Sequence, residues 1–347
     1  MIVTVSTVKD TLANVERFVA GNLRGGVDHL VVVLDAPEAP GQAEVASWLD
    51  AHPHVTTVLA DDDWWRGRRP EALNVRQRIN ANLVKAALTT APWAEWLFHL
   101  DADEIAWIDE AVLARVPADR RAVRLLPLEA IAQRHWDGDP TWFKRLLAPE
   151  ELADLHARGV IEEASNGSYF HGHPWGKVGV RPGLDIWLTL HTAVDARGET
   201  VRPFARPRLR MLHYESYSGE DFVRKWTSLL GSGAMASFRA SRERTALQIR
   251  EALDTSEPRE RLMEIFAATT EDDLPLLRDL GLLVEADPRA WTHEPEPLPG
   301  GEAERLVALL GRLRTAPKGQ FHPGEPAARV AKTLAKATGA RRWPRRS

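Results

Sequence analysis

Short apolar segments alternate with amphipathic ones through the amino-terminal third of the chain, and few folds accept that pattern. Ile2 to Ser6 is rich in β-branched residues and reads as a strand. Leu12 to Asn22 sets Leu12, Val15, Phe18 and Val19 at helical spacing, and Gly25-Gly26 ends that helix. Leu30 to Leu34 is continuously apolar, as a strand covered on both faces would be, and it stops at Asp35. Ala43 to Ala51 reads as a short helix, and Val55 to Leu59 as a third strand ending in Asp61-Asp62-Asp63. The order β-α-β-α-β predicts a parallel sheet with right-handed crossovers. A long helical pattern over Glu71 to Leu88 and a fourth strand over Trp93 to Leu100 continue it.

The fourth strand stops abruptly at Asp101-Ala102-Asp103-Glu104. In open α/β sheets, ligands sit in the crevice outside the carboxyl ends of the strands. Carboxylates crowded there repel one another unless something positive lies between them. The simplest candidate is a hard divalent cation, which prefers oxygen ligands and whose coordination a diphosphate can complete. A bare Asp-x-Asp more often turns or caps a helix, as Asp103 would. The strand before it and the order of elements around it shift the reading toward a site.

Composition removes several classes. With 347 residues, 44% of them hydrophobic, the chain can bury one large core or two ordinary ones. It has no cysteine, so no disulfide, zinc–thiolate site or thiol nucleophile is available. A net charge of −4 argues against a nucleic-acid partner. The start, Met1-Ile2-Val3-Thr4-Val5-Ser6, lacks the pattern of a signal peptide, and no apolar run approaches the ~20 residues of a membrane span. The expectation is therefore a cytoplasmic protein. Thirteen tryptophans serve equally as core or as platforms for sugar faces.

Further candidates come in chain order. Asp35 ends the second strand, where an acid can accept from a base or a ribose hydroxyl, although next to Pro37 it also reads as a turn residue. The first turn lacks Gly-x-Gly-x-x-Gly, and no Gly-x-x-x-x-Gly-Lys-Ser/Thr occurs, which disfavours a dinucleotide site and excludes a P-loop. Trp64 to Pro70 reads as a basic, aromatic loop. Arg76, Gln77 and Asn80 cluster at i, i+1 and i+4, so at least two share a helix face that either opens on the crevice, where Arg76 could fork a phosphate, or lies in solvent. His99 reads as a neutral core histidine.

Trp136 to Trp142 is turn-rich, and Asn166-Gly167 reads as a hairpin-type turn. His171-Gly172-His173 is weak evidence for a metal. Lys177 to Arg181 is a basic strand. Ser218 reads as the cap of a helix through Phe222 and Trp226. From Arg239 the chain reads as helices, with a Pro/Gly linker over Glu294 to Gly301 and a basic tail carrying Lys332, Lys336, Arg341, Arg342, Arg345 and Arg346.

Four pieces then stand in a familiar order: Thr7-Val8-Lys9-Asp10; Gly26 to Leu30 leading to Asp35; Trp96 to Glu104; and Lys177 to Arg181 with His213-Tyr214, followed by Ser218 and Lys225. In this the chain resembles glycosyltransferases of the GT-A fold, most closely the family 2-like bacterial branch with a Trp-…-Asp-Ala-Asp-Glu signature. The resemblance implies a Rossmann-like, mostly parallel α/β sheet flanked by helices, with a helical carboxyl-terminal extension. It places the catalytic domain at 1–235, helices at 236–315 and a flexible basic tail at 316–347.

The resemblance also implies a UDP- or GDP-sugar type donor, a glycan, lipid-linked or small hydroxyl acceptor, and Mn²⁺ or Mg²⁺. Asp101 and Asp103 would hold the metal, with His213 as a further ligand and His191 as the fallback. Lys9, Asp35, Arg76, Asp101, Lys177 and Arg181 would line the donor site. Asp185 is the first choice for general base and Glu215 the second. Departures from the family occur at Lys9-Asp10-Thr11, at Ile105, and in the missing Glu-Asp pair that usually marks the base. The rival readings are a sugar nucleotidyltransferase and a non-catalytic carbohydrate-binding protein. The basic tail would give at most a peripheral membrane contact.

Overall fold

The computed structural model describes residues 1–231, 240–255, 257–325 and 327–339. The first elements are β1 (Ile2–Val8), α1 (Leu12–Arg24), β2 (His29–Leu34), α2 (Gln42–Asp50), β3 (Val55–Leu59), α3 (Asp62–Trp65), α4 (Leu73–Leu88) and β4 (Trp96–His99). Next come β5 (Glu104–Ile108), α5 (Glu110–Leu113), β6 (Ala122–Ala130), β7 (Trp142–Arg145), α6 (Pro149–Ala157), α7 (Asn166–Tyr169), β8 (Lys177–Val180), β9 (Ile186–Leu188), β10 (Ala193–Asp195) and β11 (Phe204–His213). The remainder is α8 (Gly219–Gly231), α9 (Ala240–Leu253), α10 (Pro258–Thr269), α11 (Leu274–Asp279), β12 (Leu283–Glu285), α12 (Glu302–Leu313) and α13 (Ala327–Thr338).

The chain divides into two compact units. The first unit comprises Met1–Leu126, Trp175–Met211 and the segment from Pro288 onward, and the second Pro127–Pro174 and Leu212–Asp287. The boundaries fall inside β6 and β11. The expected boundary at 235 lies outside the described residues.

The first unit is mixed α/β with a mostly parallel sheet flanked by helices. Its parallel strands stand in the order β3-β2-β1-β4; β8 adds antiparallel to β4, and the start of β6 adds antiparallel to β8. The period-two alternation of strands sorts the apolar residues onto two faces. Val3, Val5, Val31, Val33 and Leu97 face one way and pack with α4, α12 and α13. Leu30, Val32, Leu34, Trp96 and Phe98 face the other way and pack with α1 and α2. Both faces are covered, so these strands are continuously apolar rather than alternating with charge. The strand order reverses at β1, with β2 and β3 added on one side and β4 on the other, which makes the carboxyl ends of β1 and β4 the topological switch point.

The second unit holds the end of β6, β7 and β12 as an antiparallel set, with α6 to α11. No helix among the described residues is long and apolar enough to cross a membrane.

Several local expectations are corrected. Trp64 and Trp65 belong to the single turn α3, capped by Asp61, and both are buried rather than presented on a loop. Asn166-Gly167 opens the short helix α7, with the Ser165 hydroxyl accepting from Ser168 N, so the dipeptide serves a helix start and not a hairpin. Lys332 and Lys336 lie on α13, where a flexible tail was expected, and Val330 of that helix packs in the core. Residues 340–347, with the four arginines of the tail, lie outside the described residues.

Candidate functional site

At the switch point of the first unit, β4 turns sharply into β5. Glu104 N donates to Asp101 O at 3.1 Å, and Asp101 N donates to the Glu104 carboxylate at 2.8 Å. This closed turn fixes Asp101 and leaves Ala102 and Asp103 at its tip. The positive charge that the clustered acids require is present as a side chain. Lys177 Nζ, fully buried, lies 2.6 Å from Asp101 Oδ2 and 3.4 Å from Glu104 Oε2. Gln77 of α4 donates to Asp101 Oδ1 at 2.7 Å.

Burial alone would push the Asp101 carboxyl up, but the Lys177 ammonium reverses this and holds it below the ordinary carboxylate range. Burial would likewise strip the Lys177 proton, and Asp101 and Glu104 hold its pKa above the ordinary value. Both Asp101 oxygens therefore accept from protein donors. Asp103, half-buried, adds its field to the same lysine.

The polar face of α4 lies across these strand ends. Arg76 grips Asp35 in a fork, with Nε to Oδ1 at 2.8 Å and Nη2 to Oδ2 at 2.7 Å. Its Nη1 donates to the carbonyls of Pro70 and Glu71. Arg69 adds a second cation to Asp35 at 3.0 Å. Arg76 is thus buried rather than solvated, and its fork is engaged by Asp35. Asn80 donates to the Thr7 hydroxyl of β1 at 3.1 Å and accepts from the Trp64 indole at 3.2 Å. Lys9 is exposed just past β1. His99 is buried with Nδ1 3.1 Å from Thr189 O, and desolvation lowers its pKa to about 4, so it is the neutral core histidine expected.

Two expected site residues lie elsewhere. The pairing of Leu97 with Val180 puts Arg181 beside Trp96, where it stacks on the indole at 4.3 Å and pairs with Glu95 at 2.8 Å. That is the amino end of β4, about 16 Å along the strand from Asp101. Asp185 is exposed before β9, and its charge acts on Lys85. Lys85 lies about 12 Å along α4 from Gln77. Neither residue is assembled with Asp101. His191, the fallback ligand, is instead tied through Nδ1 to Gly176 O at 3.1 Å.

The second unit carries its own polar cluster. His213 Nε2, at the end of β11, lies 3.7 Å from Glu215 Oε2, and Lys225 Nζ of α8 lies 3.0 Å from the same oxygen. Behind them is a network that the sequence reading does not single out. Lys144 of β7 is fully buried, 2.9 Å from Glu129 and 3.2 Å from Asp272. Glu129 also accepts from His171 N at 2.7 Å and Gly172 N at 2.5 Å.

His171 Nε2 meets Asp272 Oδ1 at 3.1 Å, which gives that histidine a carboxylate partner in place of a metal role. Burial works against the Asp272 carboxylate, but Lys144 and His171 hold its pKa at about 2. A Cβ on Gly172 would come within 2.6 Å of His213 Cε1, so only glycine lets this loop pass so close to the histidine. The signal available in the sequence was a charged residue beside apolar ones at two strand positions, Glu129 after Leu128 in β6 and Lys144 after Phe143 in β7.

No family model matches the chain, and no curated protein matches it. Solved structures resemble it weakly. The crystal structure of HddC from Yersinia pseudotuberculosis aligns with 64% of this chain and 96% of its own, at 9% identity and a TM-score of 0.31. The inositol-1-phosphate CTP transferase from T. maritima covers 68% and 98%, at 10% identity and a TM-score of 0.29. The WbbM bifunctional glycosyltransferase covers 52% of this chain and 31% of its own, at 12% identity and a TM-score of 0.24.

Proposed function

We propose that this chain is a nucleotide-sugar-dependent glycosyltransferase that uses Mn²⁺ or Mg²⁺. The observation that carries the reading is the Asp101–Lys177–Glu104 arrangement at the switch point, with Asp35, Arg76, Gln77 and Asn80 alongside. These polar groups gather at the carboxyl ends of the strands, where open α/β sheets bind nucleotide ligands. Asp103, half-buried at the tip of the β4–β5 turn, offers a carboxylate for a divalent cation. Bound there, the metal would stabilise the diphosphate leaving group as a Lewis acid.

In this reading Lys177 fixes the turn that presents Asp103. Lys9, exposed past β1, serves the phosphates, and Asp35 with its two arginines lines the nucleoside end. With Asp185 set against Lys85, Glu215, buried and 3.0 Å from Lys225 Nζ, becomes the first choice of general base. The acceptor is a hydroxyl on a glycan, a lipid-linked sugar or a small molecule, and any membrane contact of the tail belongs to this proposal. The absence of glycine between Ser6 and Thr11 favours sugar transfer over nucleotidyl transfer, which ordinarily uses a Gly-rich first loop.

A panel of UDP- and GDP-sugars, incubated with and without Mn²⁺, tests the reading. Nucleoside diphosphate release supports it. Pyrophosphate release from a nucleoside triphosphate and a sugar phosphate would assign nucleotidyl transfer instead. Asp103→Ala is expected to keep its fold by circular dichroism and to weaken Mn²⁺-dependent UDP or GDP binding at least tenfold by calorimetry, about 1.4 kcal/mol or more. Unchanged binding would remove Asp103 from the site.

A further inference from the structure

The first unit carries a cationic and aromatic face that the proposed chemistry does not use. β11 alternates over Arg208 to Met211. Leu209 and Met211 point inward and are buried, while Arg206, Arg208 and Arg210 point the other way. Spacing along a strand sets successive arginines about 7 Å apart. Arg206 and Arg208 are exposed. Arg206 Nη1 donates to Ala205 O, and its guanidinium lies 4.3 Å from the Phe204 ring. Arg208 is 74% exposed and pairs with Asp109. Arg210 covers the Trp107 ring at 5.3 Å, and Trp107 stacks on Trp291 at 5.0 Å with 19° between the planes. The result is a column of guanidinium and two half-buried indoles beside a row of arginines.

We propose that this face docks on the anionic headgroups of a lipid bilayer. Tryptophan and arginine together are the residues that settle at a membrane–water interface, the indole among the glycerol groups and the guanidinium on phosphate. The alternative of a nucleic acid is opposed by two facts. The chain as a whole is acidic, with a net charge of −4, and the arginines lie along one strand face rather than lining a groove that could track a phosphate backbone. The terminal residues repeat the same composition, with Arg341, Arg342, Trp343, Arg345 and Arg346. The proposal is independent of the sugar-transfer reading, since it needs no catalytic activity.

Sedimentation of the full chain with vesicles of phosphatidylcholine alone, or rich in phosphatidylglycerol, tests it. Binding is expected only to the anionic vesicles and is expected to fall with salt. The exposed pair Arg206→Gln with Arg208→Gln should weaken binding about fivefold per arginine removed, or roughly 25-fold together. A second variant changes Arg341, Arg342, Arg345 and Arg346 to Gln and measures the share of the tail. Binding lost in the tail variant but unchanged in the β11 variant would overturn the proposal. So would absence of binding to anionic vesicles, or an equal affinity for a DNA duplex at the same salt. Circular dichroism checks that both variants fold, and nucleotide binding checks that the site is intact.

Discussion

At the residue scale, the decisive group is Lys177. A fully buried ammonium survives only because Asp101 and Glu104 repay its desolvation, and each acid in turn depends on the lysine. Lys177→Met is therefore expected to lower stability by about 3–5 kcal/mol at neutral pH, measured by urea denaturation. The loss should shrink toward about pH 4, where the stranded carboxyls become protonated. Histidines set a second pH dependence. His29 and His99 have their pKa values lowered from 6.5 to about 4, chiefly by burial. The unfolded chain takes up these protons near pH 6.5, and the folded chain only near pH 4. Their contribution is complete above pH 6.5 and is lost as the pH falls toward 4, by up to about 3 kcal/mol per group. His99→Gln should flatten that part of the stability–pH curve. A curve of unchanged steepness would show that His99 is not held neutral.

At the scale of elements, one helix substitutes for a strand. Asn22 of α1 donates to Glu104 O at 3.0 Å and accepts from Ala106 N at 2.9 Å, pairing β5 as a neighbouring strand would. The helix approaches so closely that a Cβ on Gly25 would meet Ala106 O at 1.9 Å. Asn22→Ala would leave a buried backbone donor and acceptor unpaired, at a cost of about 2–4 kcal/mol. Thermal denaturation should show the drop, and amide exchange at Ala106 should speed up. The boundaries of β1, β2, β3 and α4 were legible because an apolar run or a helical period marks each one directly. β5, β7, β10 and β12 were not, because they are only three to five residues long, too short to show a period. The face of α4 shows the same division. Its periodicity identified Arg76, Gln77 and Asn80 as neighbours, but only the packed helix shows them meeting Asp35, Asp101 and Thr7.

At the scale of the molecule, neither unit is a continuous stretch of chain. Leu306, Leu309, Leu310 and Leu313 of α12, with Phe321 and Val330, belong to the same core as Val3, Val31 and Leu97. Each buried leucine contributes about 2 kcal/mol, so together they match the 5–15 kcal/mol by which a whole domain is stable. A chain ended at residue 287 is thus expected to lose the cooperative transition of the first unit and to bind a hydrophobic dye. A sharp unfolding transition in that fragment would show that α12 is dispensable. The linear sequence by itself determined the alternation of strands and helices, the parallel core it implies, and the acidic stop after β4, since these follow from local periodicity and the chemistry of adjacent residues. Only the tertiary structure decided what those acids face. The cation at Asp101 is a lysine from 76 positions along the chain, Arg76 is bound to Asp35, and Arg181 and Asp185 lie away from Asp101. The physical reason is that charge pairing over such separations depends on strand register and helix packing, which no local pattern encodes.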